Sequence, residues 1–589
     1  MNTNKNSSLY QLVKNIWKYI DPNRRLSFFI LVILMLFVSF LEVVSIGAII
    51  PFLGIIVSPE AVFNNPFIQP LVNFLDITNP DQLIIPVTIM FLCLAILSGI
   101  ARLYLLWIQI HFSYKIGVDF NIKSYRQIIY QPFTGHLNSN TSNVVSAITS
   151  KVSAIPSNVI KPCLEIINSV VMLTIVVFVL ATNMPLMLIY IIVGFLLIYA
   201  FFVLQTRTTL YKNSEKISIN LNSSVRVIQE SLNGIRDVIL NKSQESFCKI
   251  FKEVDIPLRY AQGNNQFIKQ RPKLIIETLI IVITVMVVYF SSLDRASFID
   301  LVPIFGLTVI AVQRLTPVFH RLFSGFATLQ GSKKVIQDVL DILNKPNHKK
   351  ISSELNEIIS FNKEIKLDNI SFRFSDFSPW VIKDLDLKIT KGSIVGFVGV
   401  TGTGKSTLID IIMGLLTSTS GEIFIDDMHL NENNLNSWQS NISHIPQSIF
   451  LFDATIAENI AFGIPYDCID FDRVAFAAKN AQIFQDIELM NDGFDTIVGE
   501  RGMRLSGGQC QRIAIARALY NKTSIIILDE ATSALDSKTE DRVMDSILDM
   551  PQSITTIIIA HRPSTLKSAD HIYELINGNL REVKYSEII

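Results

Sequence analysis

The stretch Gly399-Val400-Thr401-Gly402-Thr403-Gly404-Lys405-Ser406 decides the fold of the C-terminal half of this chain. An apolar, β-rich run precedes it at residues 393–398, and a helical pattern covers residues 405–415. Glycines let backbone N–H groups wrap a phosphate, and the N-terminus of the following helix adds partial positive charge. The pattern predicts a phosphate-binding loop whose nucleotide contacts extend to Thr407, with Lys405 at the β- and γ-phosphates of ATP and Ser406 on Mg²⁺.

A second stretch, Ile525-Ile526-Ile527-Leu528-Asp529-Glu530, places two carboxylates at the end of an apolar strand. We expect Asp529 to hold Mg²⁺ and Glu530 to polarise the water that attacks the nucleotide. Further β-rich runs at residues 393–398 and 556–560 alternate with helical patterns. This alternation predicts an α/β domain of the P-loop NTPase class, with a mostly parallel core sheet.

The stretch Leu505-Ser506-Gly507-Gly508-Gln509 lies between these two parts and resembles the ABC signature sequence. Through it the domain is identified as a member of the ABC family. The resemblance implies that Ser506, Gly507, Gly508 and Gln509 contact nucleotide and that Gln447, Glu530 and His561 are catalytic, with Gln447 also near Mg²⁺. It further matches Glu500 to the X-loop, residues 533–536 to the D-loop, and Phe374 to a tyrosine that stacks on adenine.

The sequence departs mildly from the family's pattern at two positions. Cys510 follows the signature, where the family often has a basic residue or glutamine. Phe374 keeps the π-face of tyrosine and lacks only its hydroxyl. We therefore expect an active ATPase.

Long apolar runs fill the first half of the chain, at approximately residues 26–57, 83–110, 163–181, 184–204, 274–290 and 299–318. About 20 helical residues cross a hydrocarbon core of ~30 Å, so the runs predict six transmembrane helices. Charged residues make up only 17% of the chain, compared with about 25% in soluble proteins. The predicted fold class is a membrane all-α domain of the ABC exporter type at residues 1–330, a linker at 331–361, and the α/β ATPase domain at 362–589.

Loop charges predict the orientation. Lys and Arg are frequent in residues 1–25, 111–162 and 205–273 and absent from 58–82. Positively charged loops stay in the cytoplasm, so we expect both termini there, in a bacterial plasma (inner) membrane. The two long loops read mostly as helix, with interruptions at residues 131–136 and 231–236. The membrane spans and the net charge of zero argue against a nucleic-acid partner.

The order of the two halves resembles that of bacterial exporters that act as homodimers. This resemblance implies that the signature of one chain faces the P-loop of the other across two ATP molecules. It also implies that the interrupted segments are coupling helices that dock near Gln447 and Glu500.

The membrane half is similar to PglK-like flippases of lipid-linked oligosaccharides, through Phe40-Leu41-Glu42-Val43, Pro51-Phe52-Leu53 and Arg314-Leu315-Thr316-Pro317. The implied cargo is a polyprenyl-diphosphate-linked oligosaccharide. Arg102, Arg271, Lys273 and Arg314 fall at inner-leaflet depth, where they would bind a diphosphate; alternatively they only snorkel to the lipid headgroups. Export of another lipid, a peptide or a drug, and an ATP-gated channel, remain alternatives; Glu530 argues against the channel.

Overall fold

The structure is a computed structural model. It describes residues 8–48, 52, 55, 63, 79–137, 139–183, 185–292, 295–345, 359–400, 402–530, 537–548, 554–560 and 562–588. The chain forms two compact units. The first comprises Met1–Gln131 and Gly135–His348, and the second comprises Pro132–Thr134 and Lys349–Ile589.

The N-terminal half is helical. Its α-helices are α1 (Leu9–Tyr19), α2 (Pro22–Gly47), α3 (Ile84–Ile129), α4 (Phe133–Leu137), α5 (Thr141–Ser146), α6 (Lys161–Asn183), α7 (Pro185–Asn233), α8 (Ile235–Leu240), α9 (Gln244–Ser292), α10 (Arg295–Gly331) and α11 (Lys333–Leu343). A 3₁₀ turn covers Pro80–Leu83, and π-helical turns cover Ala147–Val152 and Pro156–Ile160.

Six of these helices, α2, α3, α6, α7, α9 and α10, coincide with the apolar runs. Within the described residues, four segments are long and apolar enough to cross a membrane: Pro22–Ser45, Ile84–Ile129, Pro156–Phe178 and Ile192–Asn233. The last two runs lie on α9 and α10, where many side chains fall outside the description, as does most of the predicted external segment 58–82.

Several membrane helices are much longer than a bilayer is thick. Helix α3 has 46 residues, and α7 and α9 have 49 each, which corresponds to about 70 Å at 1.5 Å per residue. This length is more than twice the ~30 Å of a hydrocarbon core, and the prediction that the two long loops are mostly helical agrees with it. The chain breaks after α3 at Pro132 and after α7 at Gly234, inside the two predicted interruptions.

The π-helical turns before α6 were not predicted. Pro156 has no N–H group, which removes one bond of the regular α-helical ladder. Its ring packs so closely on Gly117 of α3 that a Cβ there would lie 2.3 Å from Pro156 Cγ. A helical glycine and a distant proline therefore fix this packing together.

The first unit also contains a buried ion pair. Lys151, only 3% exposed, lies 2.5 Å from Asp338 of α11. Asp338 also accepts from Ser218 of α7 and pairs with Lys334 at 2.9 Å. Burial by itself would raise the pKa of Asp338, but Lys151 and the hydrogen bonds outweigh it and hold that pKa below its ordinary value.

The second unit contains the strands β1 (Glu364–Phe372), β2 (Ile382–Thr390), β3 (Ile394–Val398), β4 (Ser420–Ile425), β5 (Met428–His429), β6 (Ile442–Ile445), β7 (Ile525–Asp529), β8 (Thr555–Ile559), β9 (His571–Ile576) and β10 (Asn579–Glu582). One sheet has the order β10-β9-β3-β8-β7-β6 and is parallel except for β10. An antiparallel sheet has the order β2-β1-β4-β5. The predicted mostly parallel core is confirmed.

Its helices are α12 (Lys405–Ile412), α13 (Leu435–Gln439), α14 (Ile456–Ile460), α15 (Phe471–Asn480), α16 (Phe484–Glu488), α17 (Gly507–Tyr520) and α18 (Ser537–Leu548). The prediction of a helix to residue 415 is wrong at its end, because α12 stops at Ile412. Gly414 has φ +67°, and the Leu415 N–H donates to the Asp410 carbonyl at 2.8 Å. This glycine-based C-cap ends the helix.

Candidate active site

The P-loop connects β3 to α12 and is shaped by close contacts that only glycine allows. Gly399 has φ +142°, and a Cβ there would lie 2.7 Å from the Leu575 carbonyl oxygen. Gly404 has φ +103°, and its Cβ would lie 2.9 Å from Val381 Cγ1. These contacts hold the loop between β9 and the start of β2, with its backbone in a conformation that suits phosphate binding.

Lys405 lies inside the loop that precedes it. Its side chain is buried, and its Nζ donates to the carbonyl oxygens of Gly399 at 2.7 Å and Val400 at 3.1 Å. Burial lowers the pKa of Lys405, although the charges of Glu530 and Asp529 act in the opposite direction. The ammonium group is thus held at the loop where phosphate is predicted to bind.

Glu530 is fixed by both its backbone and its side chain. Its φ of +50° is left-handed, and its N–H donates to the Ile559 carbonyl at 3.1 Å. Its Oε2 accepts from Gln447 Nε2 at 2.5 Å. A non-glycine residue held in this region is strained, and such strain is concentrated at functional sites. The strained backbone of Glu530 and its bond to Gln447 therefore hold the carboxylate in one orientation.

These residues share one cavity of about 630 Å³. Its lining consists of Phe374, Val381, Gly402, Gly404, Lys405, Ser406, Thr407, Gln447, Glu530 and Ile559. The structure thus brings together the predicted P-loop residues from Gly402 and Gly404 to Thr407 with Gln447, Glu530 and Phe374. Sequence reasoning missed Val381 and Ile559, because apolar residues at strand ends carry no motif.

The cavity fits the chemistry of an ATP–Mg²⁺ complex. Phe374 is 60% exposed, and its ring meets the edge of Phe372 at 5.1 Å, which leaves a face for a base. The hydroxyl of Ser406 and the carboxylate of Asp529, at the end of β7, are oxygen ligands of the kind that Mg²⁺ prefers. Thr401, His561 and residues 533–536 lie outside the described residues, so their assignments stay predictions.

The signature residues occupy the N-terminus of α17. Ser506 caps the helix: its Oγ accepts from the Gln509 N–H at 3.2 Å, and its own N–H donates to Gln509 Oε1 at 2.9 Å. Ser506 and Gly507 are exposed. Within the described residues, the signature contributes nothing to the lining of the 630 Å³ cavity. The exposed N-terminus of α17 is suited to bind a phosphate that lies outside this cavity.

Cys510 faces inward from the signature helix. Its Sγ lies 3.8 Å from the Gly502 carbonyl oxygen, and burial raises the pKa of its thiol. Gly502 has φ +73°, and a Cβ there would lie 2.9 Å from this sulfur. Cys510, which departs from the family pattern, therefore fits because a glycine, Gly502, faces its sulfur in the turn Glu500–Gly502.

The predicted substrate cations have partners of their own. Arg102 Nη1 lies 3.1 Å from Glu42 Oε1, and Lys273 Nζ lies 3.8 Å from Glu277 Oε1. Both cations thus lie beside carboxylates, and their assignment to the cargo site stays a prediction. Arg314 lies on α10, but its side chain is outside the description.

Arg271 differs from these ion pairs. Its Nη2 donates to Gln205 at 2.6 Å, and its guanidinium lies 5.3 Å from the centre of the Phe202 ring. Its buried Nε has no hydrogen-bond partner within the described residues. The same holds for Tyr199 Oη and His320 Nδ1. Sequence reasoning missed Tyr199 and His320, because an isolated polar residue in an apolar helix gives no pattern.

Aromatic contacts connect Tyr199 to Arg271. The Tyr199 ring lies 5.8 Å from both Phe319 and Phe323 of α10, and Phe323 lies 6.3 Å from Phe202. We call Tyr199 and Arg271, with the rings between them, the α7–α9–α10 polar cluster. His320 follows Phe319 of this cluster in the sequence of α10.

Comparisons with known proteins identify the family. The model for the ABC transporter family matches residues 382–533, and that for the ABC transporter transmembrane region matches residues 26–293. An ATP-dependent lipid A-core flippase of Alkalilimnicola ehrlichii is 28% identical over 78% of each chain, and one of Ralstonia nicotianae is 26% identical over 84% of this chain and 83% of its own. A bacterial Atm1-family ABC exporter with ATP bound has a TM-score of 0.77 and 21% identity, with 96% of each chain covered. The chain therefore belongs to the ABC transporter family: it joins a transmembrane region to an ATPase domain, has the ABC exporter fold, and couples ATP hydrolysis to transport.

Proposed function

We propose that two copies of this chain form an ATP-driven flippase, which moves a polyprenyl-diphosphate-linked oligosaccharide to the outer leaflet of a bacterial plasma membrane. The relatives named as lipid A-core flippases support a lipid cargo. The similarity of the membrane half to PglK-like flippases supports the saccharide and the diphosphate. The positively charged loops support cytoplasmic termini.

The dimer follows from an incomplete nucleotide site. Within the described residues, the cavity at Lys405 is lined by the P-loop, Gln447 and Glu530 and lacks the signature. Ser506 and Gly507 are exposed at a helix N-terminus. In the proposed dimer, each signature closes the partner's cavity, so that two ATP molecules are bound between two chains.

The residues of the cavity then divide the work of hydrolysis. Lys405 binds phosphate oxygens, and Glu530 orients and polarises the attacking water while Gln447 holds its carboxylate in place. Ser406, Gln447 and Asp529 would hold Mg²⁺, which neutralises charge on the phosphates when it is bound. His561 is assigned a catalytic role by its motif alone.

One observation carries the cargo proposal: the buried, unpartnered Nε of Arg271 within the α7–α9–α10 polar cluster. A buried polar group without a hydrogen bond is costly. A diphosphate offers several charged acceptor oxygens, which would satisfy Arg271 together with Tyr199. Arg102 and Lys273 already lie beside carboxylates, whereas Arg271 has a buried donor to offer, so Arg271 is the stronger candidate for cargo binding.

The test is transport in liposomes by the full chain, with a labelled polyprenyl-diphosphate saccharide and, separately, labelled lipid A-core. We expect ATP-dependent flipping of the first lipid, and a roughly 10- to 100-fold slower rate for Arg271→Gln, as the loss of a charged hydrogen bond implies. Arg259→Gln is the matched control, because Arg259 lies on the same helix and is 67% exposed beside Asp255.

Each other result has a defined meaning. Flipping of lipid A-core alone would refute the diphosphate cargo and retain the flippase. Flipping of neither lipid, with ATP hydrolysis intact, would refute both cargo assignments and favour export of another lipid, a peptide or a drug.

A further inference from the structure

Arg517, on the helix that begins with the signature, joins three separate segments of the ATPase domain. Its Nε donates to the Asn459 carbonyl at 2.8 Å, and its Nη2 lies 3.2 Å from Asn459 Oδ1. Its Nη1 donates to the Phe450 carbonyl at 3.1 Å. The face of its guanidinium lies 4.6 Å from the centre of the Phe462 ring. One side chain thus connects α17 to α14 and to the segment that follows Gln447.

Asn459 makes this connection rigid. It is fully buried, and its Oδ1 accepts from the Phe452 N–H at 2.9 Å. Its Nδ2 donates to the carbonyls of Phe452 and Thr455, each at 3.0 Å. The amide therefore pairs with Phe452 in both directions and fixes residues 450–452 against the start of α14. Arg517 binds to this preassembled surface.

The hydrogen-bond partners of Arg517 within the described residues are carbonyl and amide oxygens, not carboxylates. Burial lowers the pKa of Arg517 to about 10, which leaves it charged at neutral pH. Arg512, on the same helix, is different. It pairs with Asp486 at 2.5 Å and donates to the Gln482 carbonyl at 2.7 Å, so it ties α17 to α16.

The contacts of Arg517 complete a short path between two functional sites. Gln447 holds Glu530 and precedes Phe450 by three residues. Phe450 is bound to Arg517, which lies on the helix that Ser506 caps, about 16 Å further along at 1.5 Å per residue. A displacement of Gln447 would therefore displace Phe450 and, through the guanidinium of Arg517, the signature helix α17.

We propose that Arg517 is a positioning residue, which transmits the position of the Gln447 segment to the signature motif and thereby sets the catalytic rate. Among the described residues that line the cavity at Lys405, Arg517 is not included. The proposal rests on the two-chain site proposed above, because the signature acts there on the partner's nucleotide.

The experiment is a double-mutant cycle in the full-length chain. Arg517→Met, Gln447→Ala and the combined variant are compared in single-turnover ATP hydrolysis, and KM is measured separately. We expect Arg517→Met to lower the rate by about 10-fold with KM changed by less than about 3-fold. Because both residues act on one path, we expect the combined variant to be at least about 5-fold faster than the product of the two single effects.

The matched control is the same cycle with Arg512→Met. A general loss of helix anchoring would make both arginines behave alike, whereas the proposal predicts multiplicative effects for Arg512 and Gln447. Arg517→Lys retains the charge and part of the hydrogen bonding, so it should recover part of the rate. If Arg517→Met does not fold, Arg517→Lys replaces it in the cycle.

Two results would overturn the proposal: effects of Arg517 and Gln447 that simply multiply, or a KM that rises in parallel with the fall in rate. Failure of the underlying dimer is recognised separately. A wild-type chain that hydrolyses ATP as a monomer would refute the two-chain site, whatever the outcome of the cycle.

Discussion

Replacement of Glu530 by glutamine isolates the charge of the catalytic carboxylate. In the structure, Glu530 Oε2 accepts from Gln447 Nε2 at 2.5 Å. The carbonyl oxygen of a glutamine can accept the same bond, and the backbone N–H bond to Ile559 is independent of the side chain. Position and shape are therefore kept, while the group that polarises water is lost.

The expected loss of rate is large. A positioned general base contributes about 10²- to 10⁴-fold, which corresponds to about 2.7–5.4 kcal/mol at 1.36 kcal/mol per tenfold. We therefore expect Glu530→Gln to lower kcat at least 100-fold. ATP binding should persist, because Lys405, Ser406 and Phe374 line the cavity independently of this charge.

A second consequence concerns the P-loop lysine. Burial lowers the pKa of Lys405, and the Glu530 carboxylate opposes this shift. Without that carboxylate, the pKa of Lys405 should fall further. Since phosphate binding needs the protonated amine, the alkaline loss of ATP affinity should occur at lower pH in Glu530→Gln than in the wild type.

The assay measures ATP hydrolysis and nucleotide binding on the same preparation across pH. Glu582→Gln is the control, because Glu582 lies in the same domain, where it pairs with His571 at 2.8 Å. Hydrolysis by Glu530→Gln within a few-fold of the wild-type rate would remove Glu530 from its role. An unshifted alkaline limb would refute the electrostatic link to Lys405.

Three further predictions follow from named contacts. A mixed dimer of Lys405→Ala and Ser506→Arg chains should bind ATP tightly at one composite site, and binding at two or none would contradict the trans arrangement. Gly404→Ala should raise KM for ATP and lower stability by about 1–2 kcal/mol or more, whereas Gly463→Ala, with φ +81° and nothing within 4 Å, should lower stability without raising KM. Asp338→Asn should lower the free energy of unfolding by about 3 kcal/mol. Because the pKa of Asp338 is depressed in the folded protein, the stabilisation by its carboxylate is present above the ordinary pKa and lost as the pH falls through the folded pKa. Thermal unfolding at several pH values would detect this loss.

The nucleotide site was largely predictable because its chemistry fixes residue types at fixed spacing. Residues 399–407 are contiguous, so a strand, a loop and a helix could be recognised together. Gln447 and Glu530 are far apart in sequence. The role of Glu530 came from its place at the end of an apolar strand, and that of Gln447 came from family resemblance. Their direct hydrogen bond is a result of the structure. The contacts of Gly399 with Leu575 and Gly404 with Val381 were not predictable, because they join distant segments through backbone proximity alone.

In the membrane half, helix lengths were predictable and side-chain partners were not. The position of a residue within a hydrophobic run indicates its depth in the membrane. Its side-chain partners depend on how the helix is rotated against neighbouring helices. From their depth alone, Arg102 and Arg271 were predicted to be equivalent diphosphate-binding cations. The packing of α2 against α3 gives Arg102 a carboxylate, and the packing of α7 against α9 gives Arg271 only an amide and an aromatic ring.

This difference in partners changes what each cation can contribute to transport. An arginine paired with Glu42 must give up or share that partner to bind a diphosphate, so its net gain is reduced by the carboxylate left behind. Arg271 keeps its contacts with Gln205 and Phe202 and still has an unused buried donor. An anionic headgroup would therefore gain a charged hydrogen bond at Arg271 without stranding another charge. Of the four cations predicted at one depth, Arg271, which ring contacts connect to Tyr199, is therefore the strongest candidate for binding an anionic headgroup.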